Sequence, residues 1–190
     1  MNTEQEFLSA SESISIITKM INHAKGNVQR NSFYFLLWGW VVALANIGMY
    51  ALIQVKYSYP YIIWLITIPA WIISMVYGYR QSREKRMVTY MDKTIMWLWV
   101  TFGITVFILI FFGSSIKHNI NPVILLISTI PTFATGKIIR FKPLVMGAVS
   151  FWLFGILCFL VSFEMQNLVS AAAVIVGYLI PGYMLKYKKG

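Results

Sequence analysis

Long apolar stretches alternate with short polar ones along most of the chain. Beyond residue 31, apolar runs without acidic residues recur at lengths close to the roughly 20 residues that an α-helix needs to cross a membrane. The runs lie at about residues 33–55, 59–79, 94–113, 122–139, 144–163 and 168–185. The pattern therefore predicts an all-α fold, a polytopic membrane bundle of six transmembrane helices.

Residues 1–31 are mostly polar and have the periodicity of an amphipathic helix. Apolar residues that include Ile14, Ile17 and Ile21 recur at steps of three, four and seven, which places them on one stripe. We expect a cytoplasmic helix over 1–31, with a break at Gly26 and Asn27, before a transmembrane domain over 32–190. The stripe fits either a helix lying on the inner leaflet or one that docks to a protein partner or a second copy.

One apolar element occurs three times. Residues 60–71 and 122–133 are identical at five of twelve aligned positions, and a shorter copy spans 180–183. Each copy follows a span that opens with an aromatic pair, namely Trp38 and Trp40, Trp97 and Trp99, or Trp152 and Phe154. The repeat predicts three helical hairpins, for which a pseudo-threefold arrangement is the simplest architecture.

Few polar or kink-forming residues lie inside the predicted spans. Proline within a helix removes a backbone hydrogen bond, and nearby hydroxyls or water can satisfy the freed carbonyl. The candidate polar centre comprises Asn46, Thr67, Pro69, Thr129, Pro131, Thr132 and Pro181. These residues would either surround a pocket of the kind found in transporters or only shape the bundle. The unequal depths of the three prolines favour the second interpretation, and Asn46 is expected to hydrogen-bond across helices.

Composition and charge agree with a membrane protein. Hydrophobic residues make up 58% of the chain and mean hydropathy is +0.69, compared with roughly 45–50% apolar residues in soluble domains. Sixteen Lys and Arg against six Asp and Glu give a net charge of +10. With the amino terminus in the cytoplasm, all of these basic residues except Lys56 and Lys117 lie inside, as the positive-inside rule requires. Both termini are therefore predicted to be cytoplasmic.

The same charge distribution bears on partners. In a soluble protein this charge would suggest nucleic acid, but anionic inner-leaflet lipid accounts for it here, so no nucleic-acid partner is predicted. The loop after the second span is the most basic stretch and is predicted to contact lipid head groups or an acidic partner. Its candidate contact residues are Arg80, Arg83, Lys85 and Arg86.

The sequence contains little that could carry chemistry. The spans have no interior carboxylate or histidine of the kind that marks proton- or ion-coupled transport. His23 and His118 are predicted on opposite sides of the membrane, and Cys158 lies alone in an apolar run. No metal-binding or phosphate-binding motif occurs. The sequence predicts neither enzymatic activity nor a cofactor.

Residues 33–40, 134–143 and 177–183 together resemble a group of bacterial six-span integral membrane proteins that carry an amphipathic amino-terminal helix. The resemblance implies the fold and the bacterial inner membrane. It supplies no binding or catalytic residues, and the proximity of genes for small winged-helix regulators in that group hints at regulation. We therefore expect a non-enzymatic anchor, scaffold or regulatory component that presents its cytoplasmic helix to itself or to a partner. The alternative is a small transporter or channel for a neutral or apolar solute.

Overall fold

The computed structural model describes residues 10–84, 90–113 and 119–187, with only the backbone described for residues 10–31, 81, 82 and 84. The candidate contacts at Lys85 and Arg86 therefore lie outside the described residues, as do the side chains of Ile14, Ile17 and Ile21. Helix accounts for 92% of the structure, and the described residues contain no strand. The all-α fold class is confirmed.

Six long helices make up the described chain. Helix α1 spans Ala10–Gln54, and a 3₁₀ segment at Pro60–Ile66 leads into α2 at Thr67–Glu84. Helices α3, α4 and α5 span Tyr90–Phe111, Ile120–Ile138 and Lys142–Leu160. Helix α6 spans Phe163–Tyr187 and contains a π-helical segment at Ile175–Leu179.

Five of these helical stretches are long and apolar enough to cross a membrane. They are Ser32–Gln54, Pro60–Arg80, Tyr90–Phe111, Lys142–Leu160 and Phe163–Tyr187. Helix α4 is less apolar because it carries Lys137 and several hydroxyl side chains, of which Ser128, Thr129, Thr132 and Thr135 are buried. Five candidate spans are thus present in the described residues. The remaining predicted span, 122–139, which corresponds to α4, stays a prediction.

Helix α1 is a single helix of 45 residues. It continues through Gly26 and Asn27, so the predicted break at these residues is wrong. Glycine inside a helix costs only about 1 kcal/mol relative to alanine, and this cost is small enough for the flanking helical turns to overcome. The predicted amphipathic helix, as far as it is described, and the first predicted span are therefore parts of one continuous helix.

The core of the bundle lies among α1, α4, α5 and α6. Helix α4 packs most extensively against α5, and α1 packs most extensively against α6. Buried residues of this core include Phe35, Leu125, Leu144 and Phe151. Helix α3 has no buried residue, and Ala70 is the only buried one among the described side chains of α2. Helices α2 and α3 are therefore peripheral.

The three copies of the repeated element have different local structures. Pro69 is exposed and lies where the 3₁₀ segment passes into α2. Pro131 is buried inside α4, and Pro181 is buried two residues after the end of the π-helical segment of α6. Proline is tolerated near a helix start because the N–H groups there have no helical partner, whereas inside a helix it must be accommodated by packing. Similar sequences therefore occupy unlike positions in the bundle.

Candidate functional site

Tyr178, in the π-helical segment of α6, is the centre of a buried aromatic cluster. The Tyr178 ring centroid lies 5.6 Å from that of Phe35, 6.2 Å from that of Trp99 and 4.8 Å from that of Phe151. These neighbours belong to α1, α3 and α5, respectively. Aromatic pairs at such distances add to the stability that burial provides. The cluster therefore links four helices, and through Trp99 it holds α3 against the core.

Helix α4 contributes polar partners to this cluster. The Thr132 hydroxyl donates to the Ser128 carbonyl at 2.7 Å and lies 3.2 Å from the Tyr178 hydroxyl. Because a threonine has one hydroxyl proton, Tyr178 is the donor in the second bond. Trp99 Nε1 donates to the Thr135 hydroxyl at 3.2 Å. Each hydroxyl here has a partner, as an apolar environment requires.

The seven residues of the predicted polar centre lie in two separate parts of the structure. Asn46, Thr129 and Thr132 are buried in the core, and Pro131 and Pro181 are buried as well. Thr67 and Pro69 instead lie on peripheral α2, where the Thr67 hydroxyl donates to the Trp64 carbonyl at 2.6 Å. The seven residues therefore do not surround one pocket.

Asn46 does not make the predicted bond across helices. Its Nδ2 donates to the Val42 carbonyl of the same helix at 2.8 Å, while its buried Oδ1 has no hydrogen-bond partner in the described structure. The Thr129 hydroxyl likewise donates to a carbonyl of its own helix, that of Leu125. Polar side chains at these positions mainly bond the preceding helical turn, a local alternative available to hydroxyl and amide groups.

Two glycines bring α5 and α6 into close contact. A Cβ atom on Gly147 would lie 2.6 Å from the carbonyl oxygen of Gly177, and a Cβ atom on Gly177 would overlap the ring of Phe151. Small residues allow membrane helices to approach closely without strain. This approach places the π-helical segment, and with it Tyr178, directly against α5.

A second polar group, missed in the sequence, lies where α6 begins. Asn121 Nδ2 donates to Asn167 Oδ1 at 3.2 Å, and Gln54 Nε2 donates to Glu164 Oε2 at 3.1 Å. Gln166 is buried, and its Oε1 has no partner among the described residues. The predicted boundary at residue 168 places Gln166 and Asn167 in a loop, whereas α6 begins at Phe163 and brings both side chains into its first turns. A helix start five residues earlier would have revealed them.

The aromatic pairs and the basic residues lie mainly at the surface. In each pair one ring is exposed and the other is partly buried; the exposed members are Trp40, Trp97 and Trp152. Arg80 and Arg83 are exposed at the end of α2, and the Arg83 guanidinium lies 4.9 Å from the centroid of the Tyr79 ring. These positions leave both arginines accessible to anionic groups.

Among the described residues, no group of three or more His, Cys, Asp or Glu side chains is arranged to hold a metal ion. Family models, curated proteins and solved structures provide no match to this chain. The local geometry consists of aromatic packing, short hydroxyl bonds within helices and close glycine contacts. Such an arrangement fixes helices relative to one another.

Proposed function

We propose that this protein is a non-enzymatic anchor or regulatory component of the bacterial inner membrane, which presents the first half of α1 to a second copy or a cytoplasmic protein. The main support is the continuity of α1 over Ala10–Gln54. At 1.5 Å per residue a helix of 45 residues is about 68 Å long, roughly twice the thickness of the hydrocarbon core. The candidate span takes up Ser32–Gln54, so residues 10–31 extend beyond it.

Contacts along its membrane half hold α1 against α6. The Trp40 indole donates to the Tyr183 hydroxyl at 3.0 Å, and Gln54 bonds Glu164 near the other end of the span. Next to Trp40, Gly39 packs against Leu179. These contacts fix the direction in which the extension leaves the bundle. A spanning helix that continues without a break beyond its span carries those residues away from the bundle, which favours protein docking over a separate helix on the leaflet.

The core gives less support to transport. Thr129 and Thr132 are each 0% exposed, and their hydroxyls bond carbonyls of α4. A pathway for a neutral solute would require polar groups that face a shared cavity. Thr67, the third hydroxyl of the predicted centre, lies on α2 away from the other two. We therefore retain the small transporter or channel only as the alternative.

The proposal includes six spans with both termini in the cytoplasm. Its sixth span is α4, whose hydroxyl side chains are buried and so avoid the lipid. The described basic residues near the helix ends include Arg80, Arg140 and Lys186, which this orientation places together on the inner side. A carboxy-terminal alkaline phosphatase fusion is expected to be inactive. An active fusion would contradict the orientation.

The docking role can be tested in the full chain with two matched substitutions. Ile21 belongs to the apolar stripe, whereas Ile16 lies about 140° around the same helix. Two copies with different tags are co-expressed and one is purified in mild detergent. If copies associate through the stripe, I21S should reduce recovery of the second tag and I16S should not.

Deletion of residues 1–28 completes the test. The deleted protein should still insert into the membrane but should recover neither the second copy nor any cytoplasmic protein that the full chain recovers. Complexes that are unchanged by both I21S and the deletion would contradict the proposed docking role. Equal loss with I21S and I16S would contradict the assignment to the stripe.

A further inference from the structure

An open groove of about 470 Å³ runs between α1, α2 and α6. One face of α1, from Ser32 to Val41, forms its floor, and Tyr77 of α2 and Lys186 of α6 complete its lining. Phe33 and Tyr77 stack with ring centroids 3.9 Å apart, and the Trp40 indole bonds the Tyr183 hydroxyl. The walls are therefore held by contacts within the protein.

The groove is apolar along its length and charged at one end. Leu36, Leu37 and Val41 line it, and Lys186 is the one charged residue among the described side chains of its lining. In the described structure the Lys186 ammonium has no carboxylate partner and lies 5.6 Å from the centroid of the Tyr187 ring. This ammonium is consequently available to a negatively charged group at the mouth of an apolar channel.

The length of the groove corresponds to one leaflet. Ser32 marks the start of the candidate span, and the nine-residue rise from Ser32 to Val41 is about 14 Å. The hydrocarbon core is roughly 30 Å thick, so the apolar floor extends over about half of it. A single acyl chain that begins at the interface would run along this floor.

We propose that the groove binds one anionic phospholipid of the leaflet nearest Lys186, with an acyl chain along Leu36, Leu37 and Val41 and the head-group phosphate at Lys186. Lys186 supplies the charge complementarity, and its position in the last turn of α6 places it at the interface. The site is independent of the amino-terminal docking stripe. Its failure would leave the proposed anchoring role unchanged.

Native mass spectrometry of the purified, delipidated full chain tests the site. Dioleoylphosphatidylglycerol should be retained in preference to dioleoylphosphatidylethanolamine, because only the first carries a net negative charge. K186A should weaken retention of the anionic lipid about fivefold, the contribution of one basic residue near a membrane surface. Excess inorganic phosphate should not displace the lipid, since it lacks the acyl chain.

Lys137 provides a matched control. It also lies in the last turn of its helix, and its ammonium is 5.5 Å from the centroid of the Phe133 ring. K137A should leave retention unchanged. A second pair tests the apolar floor: L37W should fill the groove and reduce retention, whereas L153W, on an exposed face of α5, should not.

Several outcomes would overturn the assignment. Equal weakening by K186A and K137A would show general attraction to basic residues, and unchanged retention in L37W would exclude the groove as the acyl site. Displacement by inorganic phosphate would show an anion site without lipid specificity. Equal retention of the two lipids would show that the charge of Lys186 does not select an anionic head group. Because Lys186 is exposed, K186A is expected to fold normally and keeps the test informative.

Discussion

Replacement of Gly147 by alanine should destabilise the contact between α5 and α6. The added methyl group would lie 2.6 Å from the carbonyl oxygen of Gly177. Inserting a methyl or methylene group into a packed core typically costs about 1–3 kcal/mol. The upper end of this range applies because the opposing atom belongs to the backbone and cannot turn away. Alanine is about 1 kcal/mol better than glycine inside a helix, so we expect a net loss of about 2 kcal/mol.

The measurement is reversible unfolding of the purified protein in mixed micelles with increasing sodium dodecyl sulfate, followed by circular dichroism. Gly103 of α3 provides the control, because its added methyl group would meet no atom closer than 3.6 Å, in the Trp71 ring. The free energy of unfolding of G103A should therefore equal that of the parent protein or be slightly higher. The reasoning is refuted if G147A is as stable as the parent or if G103A loses as much stability as G147A.

Three further predictions use the same unfolding measurement. G177A should have a lower free energy of unfolding, because its methyl group would overlap the Phe151 ring, and the double mutant G177A/F151L should recover part of that loss. Strictly additive losses in the two single mutants would contradict this contact. Y178F and T132V should show a coupling of about 0.6 kcal/mol in a double-mutant cycle, and no coupling would mean that their hydroxyls do not bond. N46L should match or exceed the parent's stability, because the Asn46 Oδ1 has no partner among the described residues; a loss above about 1 kcal/mol would contradict this expectation.

The helices themselves could be predicted because an apolar segment in lipid has few alternatives. Without water to satisfy backbone groups, a long apolar run must form a helix or join a closed barrel. The predicted spans 94–113, 122–139 and 144–163 accordingly differ by a few residues from α3, α4 and α5 as observed. The error at the start of α6 was larger, because Gln166 and Asn167 have the composition of a loop.

Part of the candidate centre could also be predicted. Polar residues in apolar segments are rare, so Asn46, Thr129 and Thr132 could be selected, and all three are buried. The same pattern also points to Thr67, although it lies on the peripheral α2. Nothing in the sequence singles out Tyr178, because an aromatic residue in an apolar run is common and does not indicate its neighbours.

The sequence by itself determined the all-α character of the described chain and the approximate bounds of its helices, since hydropathy and the absence of charge are local properties. The tertiary structure decided which helices are neighbours. The repeat predicts that α1 and the next span form a hairpin. In the structure α1 contacts that span but packs mainly along α6, and α2 lies at the periphery. Apolar helix faces are equivalent in lipid, so the choice of partner depends on close packing at small residues. Gly39 against Leu179 and Gly147 against Gly177 supply that packing, and only the folded bundle brings these residues together.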